Sequence, residues 1–404
     1  MTEVLREPWM AEPAVAAVMA ALEAAGGPGA ARFVGGCVRD ALLGRAVADI
    51  DIATVLTPPQ VTEALKAAGL RAVPTGVEHG TVTAISDRRG FEITTLRKDV
   101  ETDGRRAVVA FTEDWAEDAA RRDFRLNALY LERSGRLHDP TGGGLADARA
   151  GRIVFVGDAR TRIREDYLRA LRFFRFLAWF GREAPEPDAL AAVAELAPGV
   201  TGLSGERVSK ELLKLLAAPD PREAVRLMDG TGVLAVVLPG TLNRARFEQA
   251  VVISQDPELR LAALLPDDPA AVAGLAARLR LSRAQTERLK AAASPGPALD
   301  GAVAAARRAL YVDGAATFRD RVLLRWAEAP EAGAEAQALL ALAGGWTRPV
   351  FPLGGEDVKA LGVPPGPEMG RLLKAAEAWW IGEDFRPGRA QALERLAALA
   401  GGRA

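Results

Sequence analysis

The chain has 404 residues, 49% hydrophobic and 26% charged, a globular composition long enough for two to four domains. A formal net charge of −1 gives no argument for nucleic-acid binding from overall charge, so that role must rest on where the arginines cluster. No apolar run approaches the ~20 residues needed to span a bilayer, no secretory leader is legible, and the single cysteine, Cys37, excludes an intrachain disulfide; together these predict a cytoplasmic protein. With only two histidines, His79 and His138, a zinc site of several histidines or a phosphohydrolase built on His-Asp pairs has too few ligands, and catalysis falls to carboxylates and arginines.

In chain order, an Ala-rich helix is expected over 14–25, ended by the breaker Gly26-Gly27-Pro28-Gly29. Strand-like runs follow at 31–34, 49–54, 80–85, 91–96 and 126–131, with helices at 38–43 and 59–68 between the early ones. That alternation predicts an α/β head of about 140 residues. After Asp139-Pro140-Thr141-Gly142-Gly143-Gly144, read as a flexible punctuation, strand signals nearly vanish and Ala/Leu/Arg-rich amphipathic segments run on, so the remainder is expected to be helical. From Ile163, apolar residues recur at Tyr167, Ala170, Leu171, Phe174, Leu177 and Ala178, the stripe of one helix.

Two aspartates one residue apart, Asp49 and Asp51, alternate with Ile50 and Ile52. A period of two puts both carboxylates on one face and both isoleucines in the core, and paired hard oxygens suit magnesium. Just upstream, Gly35-Gly36-Cys37-Val38-Arg39-Asp40 reads strand, glycine turn, helix, a place where backbone N–H groups meet an anion, with Arg39 as a charge clamp. A dinucleotide fingerprint would need a different glycine spacing. Glu92, between Phe91 and Ile93, faces away from the core, where a neighbouring strand could bring it beside the aspartate pair. Two metals ~3.5–4 Å apart would then activate an attacking 3′-hydroxyl and stabilise leaving pyrophosphate.

Arg121-Arg122-Asp123-Phe124-Arg125-Leu126-Asn127 offers donors for phosphate and acceptors for sugar hydroxyls, or equally a surface salt-bridge cluster. Between Arg160 and Arg182, seven arginines face only Glu165 and Asp166, a local balance of +5. On the helix expected there, Asp166 and Arg169 are three apart, and Arg172 and Arg175 continue the row. A carboxylate facing an amino group and a guanidinium facing a ring nitrogen would accept C and A and reject U and G, the protein itself acting as template; the plainer reading is an intrahelical ion pair.

Taken together, Gly35 to Asp40, Asp49-Ile50-Asp51, Arg121 to Phe124 with Asn127-Ala128-Leu129, Asp139-Pro140 before glycines, Glu165 to Arg169 with Arg172 and Arg175, and Ser204-Gly205-Glu206-Arg207-Val208-Ser209-Lys210-Glu211-Leu212 resemble, in order, the bacterial tRNA nucleotidyltransferase/poly(A) polymerase family. The resemblance implies an α+β head, a polymerase-β-like mixed sheet with helices over 1–140, followed by an all-α neck over 141–215 and a helical tRNA-binding body and tail over 216–404. It implies Asp49 and Asp51 as magnesium ligands and Gly36 and Arg39 at the triphosphate. Arg122, Asp123 and Asn127 would lie at sugar and phosphates, Asp166 and Arg169 would select the base, and Arg172 and Arg175 would touch the nucleotide. Gly354 to Asp357 and Leu361 to Pro367 resemble the family's tRNA-gripping end. Arg125 departs from the pattern, which has a small hydroxyl residue there; the extra charge either adds a phosphate contact or points to solvent.

The expected activity is addition of C, C and A to tRNA from CTP and ATP, with no membrane and no protein partner. Poly(A) synthesis, CC-only or A-only addition, and a non-catalytic RNA-binding module are the alternatives. The form of Thr75-Gly76-Val77-Glu78-His79-Gly80-Thr81-Val82-Thr83 favours tRNA over poly(A) chemistry, and the segment between Arg97 and Trp115 resembles the flexible loop that argues against CC-only addition.

Overall fold

A computed structural model describes residues 4–76, 80–103 and 106–402, and the chain divides into two compact units, Met1–Gly240 and Thr241–Ala404. In the first, helix α1 (Pro13–Gly26) begins on a proline and stops at Gly27, whose φ of +87° suits glycine. Among the described residues nine strands follow: β1 (Ala31–Val34), β2 (Asp51–Thr54), β3 (Arg71–Gly76), β4 (Thr81–Ser86), β5 (Arg89–Thr95), β6 (Arg97–Asp103), β7 (Arg106–Phe111), β8 (Tyr130–Leu131) and β9 (Leu137–His138). Seven of them form one sheet in the order β3-β4-β5-β2-β1-β8-β9, and β6 and β7 pair as a separate hairpin in the segment read as a loop.

Within the sheet every described neighbour pair is antiparallel except β2 and β5. Parallel strands need a crossover. Here helix α3 (Pro58–Ala67), started by a Thr57/Gln60 capping box, and the β3–β4 hairpin supply it. Helices α1 and α3 pack on each other and on the sheet. On one face the register partners Phe33 and Ile52 are buried, as is Ile93; on the other Val34, Ala53, Leu96 and Tyr130 form a core with Val156, Ala128 and Ala119, closed by Trp115. The mixed sheet agrees with the expected head.

Two expected strands are shorter than their sequence pattern. The 49–54 run is a strand only from Asp51. At 126–131 only Tyr130 and Leu131 pair; before them Arg125–Asn127 is a 3-10 turn, because Asn127 N–H and Ala128 N–H bond back to the Phe124 and Arg125 carbonyls at 2.9 and 3.0 Å and leave nothing for a ladder. The triple glycine is not a flexible punctuation. A Cβ on Gly144 would stand 2.3 Å from the Arg125 carbonyl oxygen, so that glycine serves close packing, while one on Gly143 would meet the movable guanidinium of Arg125 at 2.8 Å.

The other helices of this unit are α2 (Gly36–Leu42), α4 (Trp115–Ala120), α5 (Gly144–Ala150), α6 (Ala159–Glu165), α7 (Leu168–Phe180), α8 (Pro187–Leu196), α9 (Gly205–Leu216), α10 (Arg222–Gly230) and α11 (Val233–Val237). Phe124 is fully buried and lies between Phe155 and Phe176, 4.9 Å from each ring centre, which docks the 3-10 turn on α7.

The second unit is helical, as expected: α12 (Arg244–Ile253), α13 (Pro257–Leu264), α14 (Pro269–Arg278), α15 (Arg283–Ala292), α16 (Val303–Asp313), α17 (Ala315–Glu328), α18 (Gly333–Gly345), α19 (Gly355–Ala360), α20 (Pro367–Gly382) and α21 (Arg389–Gly401). One core joins Leu310, Phe318, Val322 and Leu339; another joins Leu353, Val358, Leu372 and Leu396. Among the described residues no helix is long and apolar enough to cross a membrane.

Candidate active site

The parallel register sets Asp51 opposite Glu92, with Ile52 opposite Ile93 below them. Two carboxylates distant in sequence thus meet on the face that carries Ala53, where both are exposed beside the core of that face. Asp49 lies before the strand and is exposed. It is near enough to act electrostatically. Burial first, then the negative charges of Glu92 and Asp49, push the Asp51 carboxyl above the usual range, and Arg122 is the cation that pulls the other way. Among the described residues no three acidic, His or Cys side chains close to metal-holding distance. Their chemistry nonetheless fits a hard divalent cation: oxygen donors, mutual repulsion and one opposing cation.

Behind Asp51, the Cys37 thiol points to the Val34 carbonyl at 3.3 Å and the Asp51 carbonyl at 3.7 Å. Burial pushes it up to about 11, so it is a packing residue and not a nucleophile. The glycine turn is built as expected: Gly35 has φ +72° and precedes α2, and Gly36 opens the helix. A Cβ on Gly35 would lie 3.8 Å from a terminal nitrogen of Arg122. The Arg122 guanidinium therefore stands over the turn and within electrostatic reach of Asp51.

What holds Arg122 there is Asp118, which sequence reasoning missed. Asp118 is 1% exposed and accepts from Arg122 at 2.8 Å, Arg121 at 2.8 Å and the Tyr130 hydroxyl at 2.7 Å. Burial alone would raise its pKa; Arg122, Arg121 and the tyrosine pull it down to about 2. Its signal was an acid three and four residues before a pair of arginines, the spacing of helical neighbours.

The other expected nucleotide contacts form a chain whose middle, Arg39, Asn127 and Asp123, is buried. The Arg39 guanidinium donates to Asn127 Oδ1 at 2.8 Å and to both Asp40 oxygens at 2.9 Å, and lies 4.0 Å over the Phe180 ring. Asn127 donates to Asp123 Oδ1 at 3.1 Å, and Arg172 donates to Asp123 Oδ2 at 2.7 Å. Burial would raise the Asp123 carboxyl, but Arg172 and these hydrogen bonds hold it below the usual range. Glu211 on α9, buried and also unforeseen, accepts from Arg175 at 2.5 Å and lies 3.7 Å from Arg172. The seven-arginine run is thus not a bare cationic face: Arg160 and Arg164 pair with Glu195, Arg162 with Glu165, and Arg182 bonds the Ala148 and Arg149 carbonyls.

The single helix expected through Asp166 is broken. α6 ends at Glu165, Asp166 is extended (φ −153°, ψ 105°), and α7 starts at Leu168. Asp166 Oδ1 accepts the Leu168 N–H at 3.1 Å, the use of aspartate at a helix start, and the Tyr167 ring lies where any Cβ on Gly199 would be. Asp166 and Arg169 are consequently not an intrahelical ion pair. Arg207 donates to Asp166 Oδ2 at 2.7 Å; Arg169 bonds Glu165 at 2.6 Å and the Arg162 and Arg121 carbonyls at 3.1 and 2.9 Å.

Arg125 follows neither expectation: its Nε lies 2.7 Å from Asp147, which is 1% exposed and also bonded by Arg152 at 3.0 Å. The charge ties the 3-10 turn to α5. Of the motif around His79, residues 77–79 lie outside the described residues. In the second unit, Asp357 accepts the Gly354 N–H at 2.8 Å and pairs with Arg389, so part of that motif caps α19.

Residues 31–154 match the Poly A polymerase head domain, and residues 184–243 match the probable RNA and SrmB-binding site of polymerase A. The mitochondrial CCA tRNA nucleotidyltransferase 1 of Mus musculus is 35% identical over 388 residues, covering 88% of this chain and 83% of that protein. A CCA-adding enzyme of Geobacillus kaustophilus is 40% identical over 231 residues, 57% of this chain and 55% of that one. Among solved structures, the Bacillus stearothermophilus CCA-adding enzyme in complex with CTP superposes with a TM-score of 0.76 at 26% identity, covering 98% of this chain and 100% of that chain. With its mixed-sheet head and relatives matched along most of their length, the chain belongs to the CCA-adding enzyme/poly(A) polymerase family.

Proposed function

We propose that this protein is a template-independent nucleotidyltransferase that adds C, C and A to the 3′ end of tRNA from CTP and ATP. The observation that carries the reading is the Asp51–Glu92 register in a chain matched along 88% of its length by a CCA tRNA nucleotidyltransferase. In each addition the tRNA 3′-oxygen attacks the α-phosphorus, a new P–O bond forms, the bond to pyrophosphate breaks, and the hydroxyl proton leaves to solvent.

Asp49 and Asp51 would hold magnesium, with Glu92 as the neighbouring carboxylate. The chemistry such an ion supplies when bound is a lower pKa for the attacking hydroxyl and neutralisation of charge on pyrophosphate. The Gly36 backbone, Arg39 and Arg122 would bind the triphosphate; the position of Arg122 over the glycine turn supports this. Asp123 and Asn127 would set the sugar, supported by their place in the hydrogen-bonded chain from Arg39 to Arg172. Asp166 and Arg169 would select the base, with Arg172 and Arg175 reaching the nucleotide from the same helix. The head would span 1–140, the neck 141–215, and the tRNA-binding body and tail 216–404. A lone, buried cysteine supports a reducing, cytoplasmic setting.

The test is magnesium-dependent incorporation of labelled CTP and ATP into tRNA lacking its 3′ end, with products sized to the nucleotide and a poly(A)-primer RNA in parallel. Three additions in the order C, C, A are expected. Long A tails on the primer, or arrest after CC, would replace this reading with poly(A) synthesis or a partial enzyme.

A further inference from the structure

Asp166 is held from two sides. Leu168 N–H donates to one oxygen at 3.1 Å, and Arg207, the third residue of α9, donates to the other at 2.7 Å. Arg172, one turn along α7, adds positive potential at the same carboxylate. The Arg207 and Asp166 side chains remain 43% and 30% exposed, so solvent and ligand reach the pair.

We infer that Arg207 is a positioning residue that determines base specificity by fixing the plane of the Asp166 carboxylate. The inference rests on Asp166 being the base selector. An ionised carboxylate offers about four acceptor positions. The two present donors take one on each oxygen and leave one on each. That arrangement accepts an amino N–H of cytosine or adenine and repels the carbonyl that uracil or guanine puts in the same place. With Arg207 removed, Asp166 keeps only the backbone tether through one oxygen. The carboxylate torsion is intrinsically broad, so its plane turns and the distinction between amino and carbonyl weakens.

The test compares kcat/KM for CTP, ATP and UTP on tRNA lacking its end, using the full chain and the variants Arg207→Ala, Arg207→Lys and Asp166→Ala. Arg207→Ala is expected to lower the preference for CTP over UTP about tenfold, the scale of one charge-assisted hydrogen bond. Arg207→Lys should restore part of it. The melting temperature should stay near that of the parent, because an exposed ion pair contributes little. A wild-type preference in Arg207→Ala, whether or not its melting temperature falls, overturns the inference. If Asp166→Ala still loses preference, the selector reading survives that result; if Asp166→Ala also keeps it, that reading fails too.

Discussion

Asp51 and Glu92 stand opposite each other across the parallel β2–β5 pair, forty-one positions apart in the chain. Their convergence predicts that Asp51→Asn lowers nucleotide incorporation by on the order of a hundred- to a thousandfold, the scale of losing one group that stabilises developing charge. Chelation with EDTA should abolish incorporation, and added magnesium should restore it. The variant should melt no lower than the parent, because it removes repulsion from Glu92 and Asp49. Retained incorporation in Asp51→Asn would show that the chemistry lies elsewhere.

Asp118 is predicted to be both a stability and an activity residue. Its folded-state value, about 2, lies below the ordinary 3.8. The stability it confers is therefore complete above the unfolded value and is lost as pH falls through about 2, a contribution of order 2 kcal/mol. Urea unfolding of the parent should weaken between pH 4 and 2, and Asp118→Asn should flatten that decline. Asp118→Ala should cost about 3–5 kcal/mol at pH 7, since two arginines lose a buried partner. Its KM for CTP should rise as Arg122 leaves the glycine turn.

Glu211 neutralises Arg175 at 2.5 Å and lies near Arg172. Glu211→Ala is expected to destabilise the first unit by about 3–5 kcal/mol, with Glu211→Gln milder because the amide keeps one acceptor. Thermal unfolding measures this. Equal melting temperatures for Glu211→Ala and the parent would mean that the arginine pair needs no buried counterion.

Arg125 is predicted to act in folding and not in nucleotide binding. Arg125→Ser should lower the melting temperature while KM for CTP and ATP stays at the parent value, since its guanidinium is spent on Asp147. Gly144→Ala should destabilise by about 1–3 kcal/mol, because a methyl group 2.3 Å from a backbone oxygen forces the turn apart. A raised KM in Arg125→Ser would return this residue to the phosphate site.

The glycine turn, the strand at Asp51 and the helix beginning near Pro58 were legible because each depends on neighbours along the chain: glycine φ, side-chain alternation and capping. Glu92 was legible as outward-facing, but its partner was not. The break at Asp166 was misread, since the apolar stripe on both sides has helical period, while the contacts found at the break, Asp166 with the Leu168 N–H and Arg207 and Tyr167 against Gly199, include partners distant in the chain. Asp118 and Glu211 were missed as organisers because an acid in a helix looks the same whether solvent or two arginines face it.

Sequence alone therefore determined the inventory: paired aspartates after a glycine turn, an arginine-rich motif before a short strand, and a helical remainder. Tertiary structure decided the pairings. β5 lies parallel beside β2, Asp118 grips Arg122, and Asp166 faces Arg207 instead of Arg169. The physical reason is one of range. Backbone propensity and side-chain periodicity act over a few residues, whereas strand register and buried ion pairs are selected by which distant surfaces exclude water together.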